Sequence, residues 1–183
     1  MPEDLNRRFA AGNQSAFEEA IELYGTRLLR YVSAVLCDYH EAEDVVQEVF
    51  LLAMKNCRRF DGKNLSAWLY KIAYRTSLNR LKRRRPLLFG DLSEQDLALS
   101  VPEKRTAELW EHLKVLKPKE RALLFSRIYE GKSYAAISKT TGVSQAVLRK
   151  RYERAKKKLA ESLTEESKTG GNVYENNKRA DSI

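Results

Sequence analysis

Between Ser144 and Leu159 the chain sets Arg149, Lys150, Arg151, Arg154, Lys156, Lys157 and Lys158 against a single acid, Glu153. Val147, Leu148, Ala155 and Leu159 recur at helical steps and can pack inward, which leaves the cations on the outer face. The preceding residues supply a short helix from Tyr134 to about Thr140 and a tight turn at Thr141-Gly142-Val143. Ser144 is placed to cap the longer helix. Short helix, glycine-containing turn and basic helix together resemble a helix-turn-helix, whose second helix enters the DNA major groove by its N-terminal part. Arginine and lysine suit guanine O6/N7 or phosphate oxygens, and glutamine suits adenine. Gln145, Arg149 and Lys150 are therefore expected to read bases, and Lys156 and Lys157 to hold phosphates, which position without specifying. A merely solvated basic helix would carry the same residues.

A second chemistry is written between Asn64 and Arg85. Trp68, Tyr70 and Tyr74 alternate with Lys71, Arg75, Asn79, Arg80 and the run Lys82-Arg83-Arg84-Arg85. Rings interleaved with cations suit single-stranded nucleic acid, because bases stack on the rings while the cations follow the backbone. Trp68 taken alone fits a hydrophobic core equally well. Upstream, Glu41, Asp44, Gln47 and Glu48 form an acidic and amide face. That face is unsuited to DNA and suited to a basic protein surface or to solvent. Cys37-x-x-His40 with Cys57 invites a metal reading, but a structural zinc site wants four closed ligands and no fourth is evident, since His112 lies far along the chain. Neither metal nor cofactor is expected.

The elements that carry these residues are helical. Ser15-Ala16-Phe17-Glu18 reads as a capping box. It opens a helix whose stripe is Phe17, Ile21, Tyr24, Leu28, Tyr31, Val32 and Val35. Asp38-x-x-Glu41 opens a second, with Ala42, Val45, Val46, Val49, Phe50 and Ala53 inward. Asp61-Gly62 breaks the chain. A third helix from about Asn64 buries Leu65, Leu69, Ile72, Ala73 and Thr76, and stops at Pro86. In the second half Leu109, Leu113 and Leu116 mark one helix, Pro118 fits a first helical position, and Leu123, Leu124 and Ile128 mark the next. The pattern predicts an all-α protein of two small helical domains, residues 1–86 and 104–165. An acidic flexible linker, 87–103, joins them and a disordered polar tail, 166–183, follows.

Composition agrees with that plan. The 183 residues carry a formal charge of +9, which favours an anionic partner. No apolar run approaches the roughly 20 residues needed to span a bilayer. The N-terminal residues lack the basic and apolar regions of a signal peptide. Two cysteines are too few for a disulfide framework, so the expected compartment is the cytoplasm.

The stretches His40-Glu41-Ala42-Glu43-Asp44-Val45-Val46-Gln47-Glu48-Val49-Phe50 and Leu65-Ser66-Ala67-Trp68-Leu69-Tyr70-Lys71-Ile72-Ala73 come first. Leu116-Lys117-Pro118-Lys119-Glu120-Arg121, Tyr129-Glu130-Gly131-Lys132-Ser133-Tyr134 and the basic helix follow. Together they resemble the sigma-70 family, in its extracytoplasmic-function branch, from about Ala10 to about Leu163. The resemblance implies a sigma region 2 helical bundle and a sigma region 4 helix-turn-helix. It implies that Asp44, Gln47, Glu48 and Phe50 grip the clamp of the largest subunit of core RNA polymerase, with the second domain at the flap of the second-largest. Trp68, Lys71, Tyr74, Arg75, Asn79, Lys82, Arg83 and Arg84 would melt and capture the minus-ten element, flipping a base at a cost of a few kcal/mol. Ser144, Gln145, Leu148, Arg149, Lys150, Arg151, Arg154, Lys156 and Lys157 would read the minus-thirty-five duplex.

The partners so implied are polymerase core, double- and single-stranded promoter DNA, and an anti-sigma factor; catalysis stays with the polymerase. Arg75, Asn79, Lys82, Ala136 and Gln145-Ala146 depart from the family's usual residues and imply an unusual promoter sequence. The main rival is a helix-turn-helix regulator that docks on no polymerase, such as the LuxR type. Those usually add a receiver or ligand-sensing domain, and neither βα alternation nor a pocket-like pattern occurs in the first half.

Overall fold

The structure, a computed structural model, describes residues 2–83 and 112–176, with side chains described for 4–83 and 112–164. The expected linker, together with Arg84 and Pro86, lies outside the described residues. Among the described residues there is no strand, and the fold is all-α.

The first unit is four helices: α1 (Pro2–Ala10), α2 (Gln14–Leu36), α3 (Tyr39–Lys55) and α4 (Leu65–Arg83), with a 3-10 turn at Cys57–Arg59. Helix α1 was not expected from the sequence, yet its Leu5 and Phe9 are fully buried. Asn6 between them pins it in place. Its side-chain amide donates to the Lys63 carbonyl at 2.8 Å, and its oxygen accepts from the Leu65 amide at 3.3 Å. The cap of α2 is Asn13 rather than Ser15, two residues before the expected box, with its side chain accepting from the Ala16 amide. Asp38 caps α3 through the Glu41 amide, as the spacing predicts, and Asn64 caps α4 through the Ala67 amide.

Leu28, Tyr31, Val32, Val35, Val45, Val49, Leu65 and Leu69 form the core. Each such side chain fully removed from water contributes roughly 1.5–3 kcal/mol. Cys37 ends α2 in the left-handed region at φ 54°, its amide bonded to the Ser33 carbonyl.

The second unit is α5 (Pro118–Leu124), α6 (Tyr134–Thr141) and α7 (Gln145–Asn176). Pro118 stands in the first turn of α5, and Glu120 reaches back to the Lys117 amide at 2.8 Å. Helix α5 runs on as one π-helical turn, Phe125–Tyr129, closed by the Glu130 amide on the Phe125 carbonyl. That i→i+5 turn shifts the side-chain register. Ile128, expected on the core stripe, is instead 62% exposed, and Tyr129 is 58% exposed. The α7 backbone is helical to Asn176, past the expected start of the tail. No proline interrupts this stretch, and Gly170 and Gly171 each cost a helix only about 1 kcal/mol relative to alanine. Residues 177–183 lie outside the described residues.

The two units touch. Helix α5 packs on α2 and α6 packs on α4, and Ala122 and Phe125 join the first unit's core.

Candidate nucleic-acid interface

The helix-turn-helix is assembled by local bonds. Ser133 caps α6 through the Ala136 amide, so one half of the usual capping box survives the alanine at 136. Gly142 closes the helix at φ 74°, and the Thr141 hydroxyl accepts from the Val143 amide in the turn. Ile137, Leu148 and Leu123 form a small core that sets the angle between α6 and α7. Leu148 is 1% exposed, which corrects its place in the DNA-reading set: it aims the reading residues and cannot touch a base.

Around it Ser144, Gln145, Arg149, Lys150, Arg154, Lys156 and Lys157 are exposed, and Arg151 is half-buried. Lys157 lies 3.8 Å from Glu161, and Lys158 lies 3.3 Å from Glu120, tying α7 to α5. Among the described residues no carboxylate pairs with Arg149, Lys150, Arg154 or Lys156. That leaves a cationic face suited to phosphate and guanine.

On α4, successive residues turn by ~100°. Trp68, Lys71, Arg75, Asn79 and Lys82 therefore share roughly a quarter of the circumference. Arg75, Asn79, Lys82 and Arg83 are exposed, and Lys71 and Trp68 are half-buried. Trp68 stacks on Phe60 at 5.2 Å and meets Phe9 edge-on at 6.1 Å. Its ring thus belongs to an aromatic cluster at the edge of the core and shows only part of itself to the basic stripe. Tyr74 departs from expectation. It lies buried on the face of α4 turned to the second unit, where burial raises its hydroxyl and Arg151 pulls the other way.

On α3, Asp44 and Gln47 are exposed and Glu48 is half-exposed, 3.5 Å from Arg80. Phe50 is 6% exposed inside the core, so it holds α3 in place and offers nothing to a partner. Cys57 is buried and Cys37 is half-buried. Among the described residues no group of three or more His, Cys, Asp or Glu could hold a metal ion. No described helix is long and apolar enough to cross a membrane.

Sequence reasoning assigned no role to a polar cluster between the units. The Tyr70 hydroxyl donates to the Glu130 carboxylate. The Lys132 ammonium lies 2.7 Å from that carboxylate and 3.1 Å from the centre of the Tyr70 ring. Burial first, and the bond to Glu130 second, raise the Tyr70 hydroxyl well above the usual tyrosine range. Burial lowers the Lys132 ammonium, an effect that Glu130 opposes. Nearby, Arg121 donates to the Val35 carbonyl at 2.8 Å and to the Leu116 carbonyl at 2.9 Å. Glu130 and Lys132 fall in a stretch that carried the family resemblance, but a charge pair flanking a glycine looks like any solvated turn.

Sigma-70 region 2 matches residues 20–86, and Sigma-70, region 4 matches residues 106–159. An ECF RNA polymerase sigma factor, SigW of Bacillus subtilis, is 33% identical over 81 residues, 44% of this chain and 43% of that protein. The RNA polymerase sigma factor NccH of Alcaligenes xylosoxydans is 28% identical over 174 residues, 88% of this chain and 94% of that protein. The chain's match thus spans less than half of the first relative and nearly all of the second. Among solved structures, CnrH in complex with the cytosolic domain of CnrY superposes with a TM-score of 0.71 at 23% identity, over 88% of this chain and 96% of that one. Region 2 on the bundle and region 4 on the helix-turn-helix place the chain in the sigma-70 family, in its ECF branch.

Proposed function

We propose that the chain is an alternative sigma subunit. It binds RNA polymerase core in the cytoplasm, reads a minus-thirty-five duplex with α7, captures a melted minus-ten strand with α4, and leaves catalysis to the polymerase. The carrying observation is the segregation of charge on rigid helices: an acid and amide face at Asp44, Gln47 and Glu48, and separate cationic faces on α4 and α7. A clamp surface takes the first, and nucleic acid takes the other two. Within the proposed minus-ten reader, Arg75, Asn79 and Lys82 meet the strand, with Trp68 as the available ring.

An anti-sigma protein is the expected regulator. The solved neighbour CnrH was itself captured with the cytosolic domain of a second protein. A groove of about 690 Å³ between α2 and the π-turn, lined by Leu29, Ala34, Tyr39, Ile128 and Tyr129, offers such a protein an apolar seat.

Co-elution of the purified chain with bacterial core polymerase, without promoter, tests the reading. Stoichiometric complex formation competed by a housekeeping sigma factor is the expected result. The Asp44→Ala, Gln47→Ala double variant should lose it. Arg149→Ala should keep it while weakening upstream-duplex binding by about 1–3 kcal/mol. A folded chain that binds no core would instead be a helix-turn-helix regulator acting apart from polymerase.

A further inference from the structure

We infer that Tyr134 is a positioning residue for base reading: its ring, at the start of α6, holds the Arg149 guanidinium of α7 in the direction of a base edge. This rests on the reading of α7 as the helix that meets duplex DNA. The Arg149 guanidinium carbon lies 5.6 Å from the centre of the Tyr134 ring. That is inside the ~6 Å within which a ring face attracts a cation. An arginine side chain has several rotatable bonds, and a bidentate bond to guanine O6/N7 needs its flat fork in one orientation. A carboxylate could hold the fork only by taking its N–H donors. A ring face holds the cation and leaves those donors at the edge of the plane, open to a base. Among the described residues no carboxylate pairs with Arg149, and the ring is its anchor.

The ring can aim a cation because it is itself held on other sides. Ser133 caps α6 through the Ala136 amide and so sets Tyr134, the first residue of that helix. The Tyr134 side chain is half-buried and packs against the small core of Leu123, Ile137 and Leu148. Tyr152 meets the ring edge-on at 6.2 Å. Arg127 lies over the same ring at 4.5 Å, and its guanidinium is pinned in turn by donating to the Lys132 carbonyl. Like charges repel, so Arg149 takes the outer place beside Arg127 and stays exposed. Leu148, the residue before Arg149, sits in the same small core. One cluster therefore sets both the backbone that carries the guanidinium and the ring that receives it. Among the described residues no ring lies over Lys150 or Arg154, so the aim belongs to Arg149 and to one base pair.

Selection by the purified full chain from a pool of duplexes with a random window, sequenced with and without bacterial core polymerase, tests the positioning. Arg149→Ala should flatten the preference at one base pair. Tyr134→Leu, which keeps an apolar side chain on the small core, should lower the preference at that same pair by about two- to fivefold, as expected for an exposed cation–ring contact. Preferences elsewhere should stay as in wild type. Tyr134→Phe, which keeps the ring face and drops the hydroxyl, should match wild type. In the Arg149→Ala background Tyr134→Leu should change nothing further. Tyr134→Met serves the same end if the leucine variant unfolds. An even loss across all pairs would make Tyr134 a packing residue only and overturn the proposal. A loss in Tyr134→Phe as large as in Tyr134→Leu would overturn it in favour of a hydroxyl contact. So would a wild type that enriches no sequence, or an Arg149→Ala variant that keeps every preference. A chain that binds no core and still shows the single-pair loss would sink the polymerase reading and leave the positioning standing.

Discussion

Asn6 shows how much one polar side chain can fix. Its side chain satisfies a part-buried carbonyl and a buried amide at the entrance to α4. Asn6→Ala would strip the buried amide of its partner, at ~1–3 kcal/mol. The expected outcome is a first unit destabilised by about 1–3 kcal/mol in urea unfolding. A loss below about 1 kcal/mol would mean that water reaches both groups. At the same scale the exposed cations of α7 and the buried Leu148 divide the labour of one helix. Gln145 and Arg149 are exposed, Arg149 with its guanidinium over the Tyr134 ring at 5.6 Å, while Leu148 and Ala155 decide where a base edge must lie.

Among the elements, α2, α3, α4 and α7 were legible because their apolar residues repeat at helical steps over at least two turns, and α6 because turn residues bound it. Helix α1 was not, since Leu5 and Phe9 are two apolar residues among charges, too few to define a stripe. Ile128 was misread because the period itself changes in the π-turn. At the site, the exposed stripe of α4 and the cation face of α7 followed from residue type. Phe50 and Leu148 were offered to partners although each lies on a stripe that the core claims. The contact between units was invisible in the sequence, because nothing in Tyr70 or Glu130 names what it faces. Cys37 illustrates an element boundary made under strain. A non-glycine residue in the left-handed region costs ~1–3 kcal/mol, so Cys37→Gly should raise stability by about 1 kcal/mol, read as a higher midpoint in thermal unfolding. An unchanged or lower midpoint would show that the Cys37 side chain compensates the strain.

For the whole molecule, stability is tied to pH through two groups of the contact between the units, with opposite signs. Burial lowers Lys132 from 10.5, so folding releases its proton and the stability it costs is recovered as pH rises toward that value. Tyr70 is raised from 10.0, so its contribution is complete below pH 10 and is lost above it. In Tyr70→Phe the fall in the thermal midpoint above pH 10 should therefore be smaller than in wild type. A fall as steep as that of wild type would contradict the assignment.

Phe125 belongs by chain order to the second unit and by packing to the first, with Ala122 beside it. The two halves therefore share ownership of the margin of one hydrophobic interior, and a Phe125→Ala change in the second would be felt as a lower unfolding midpoint in the first.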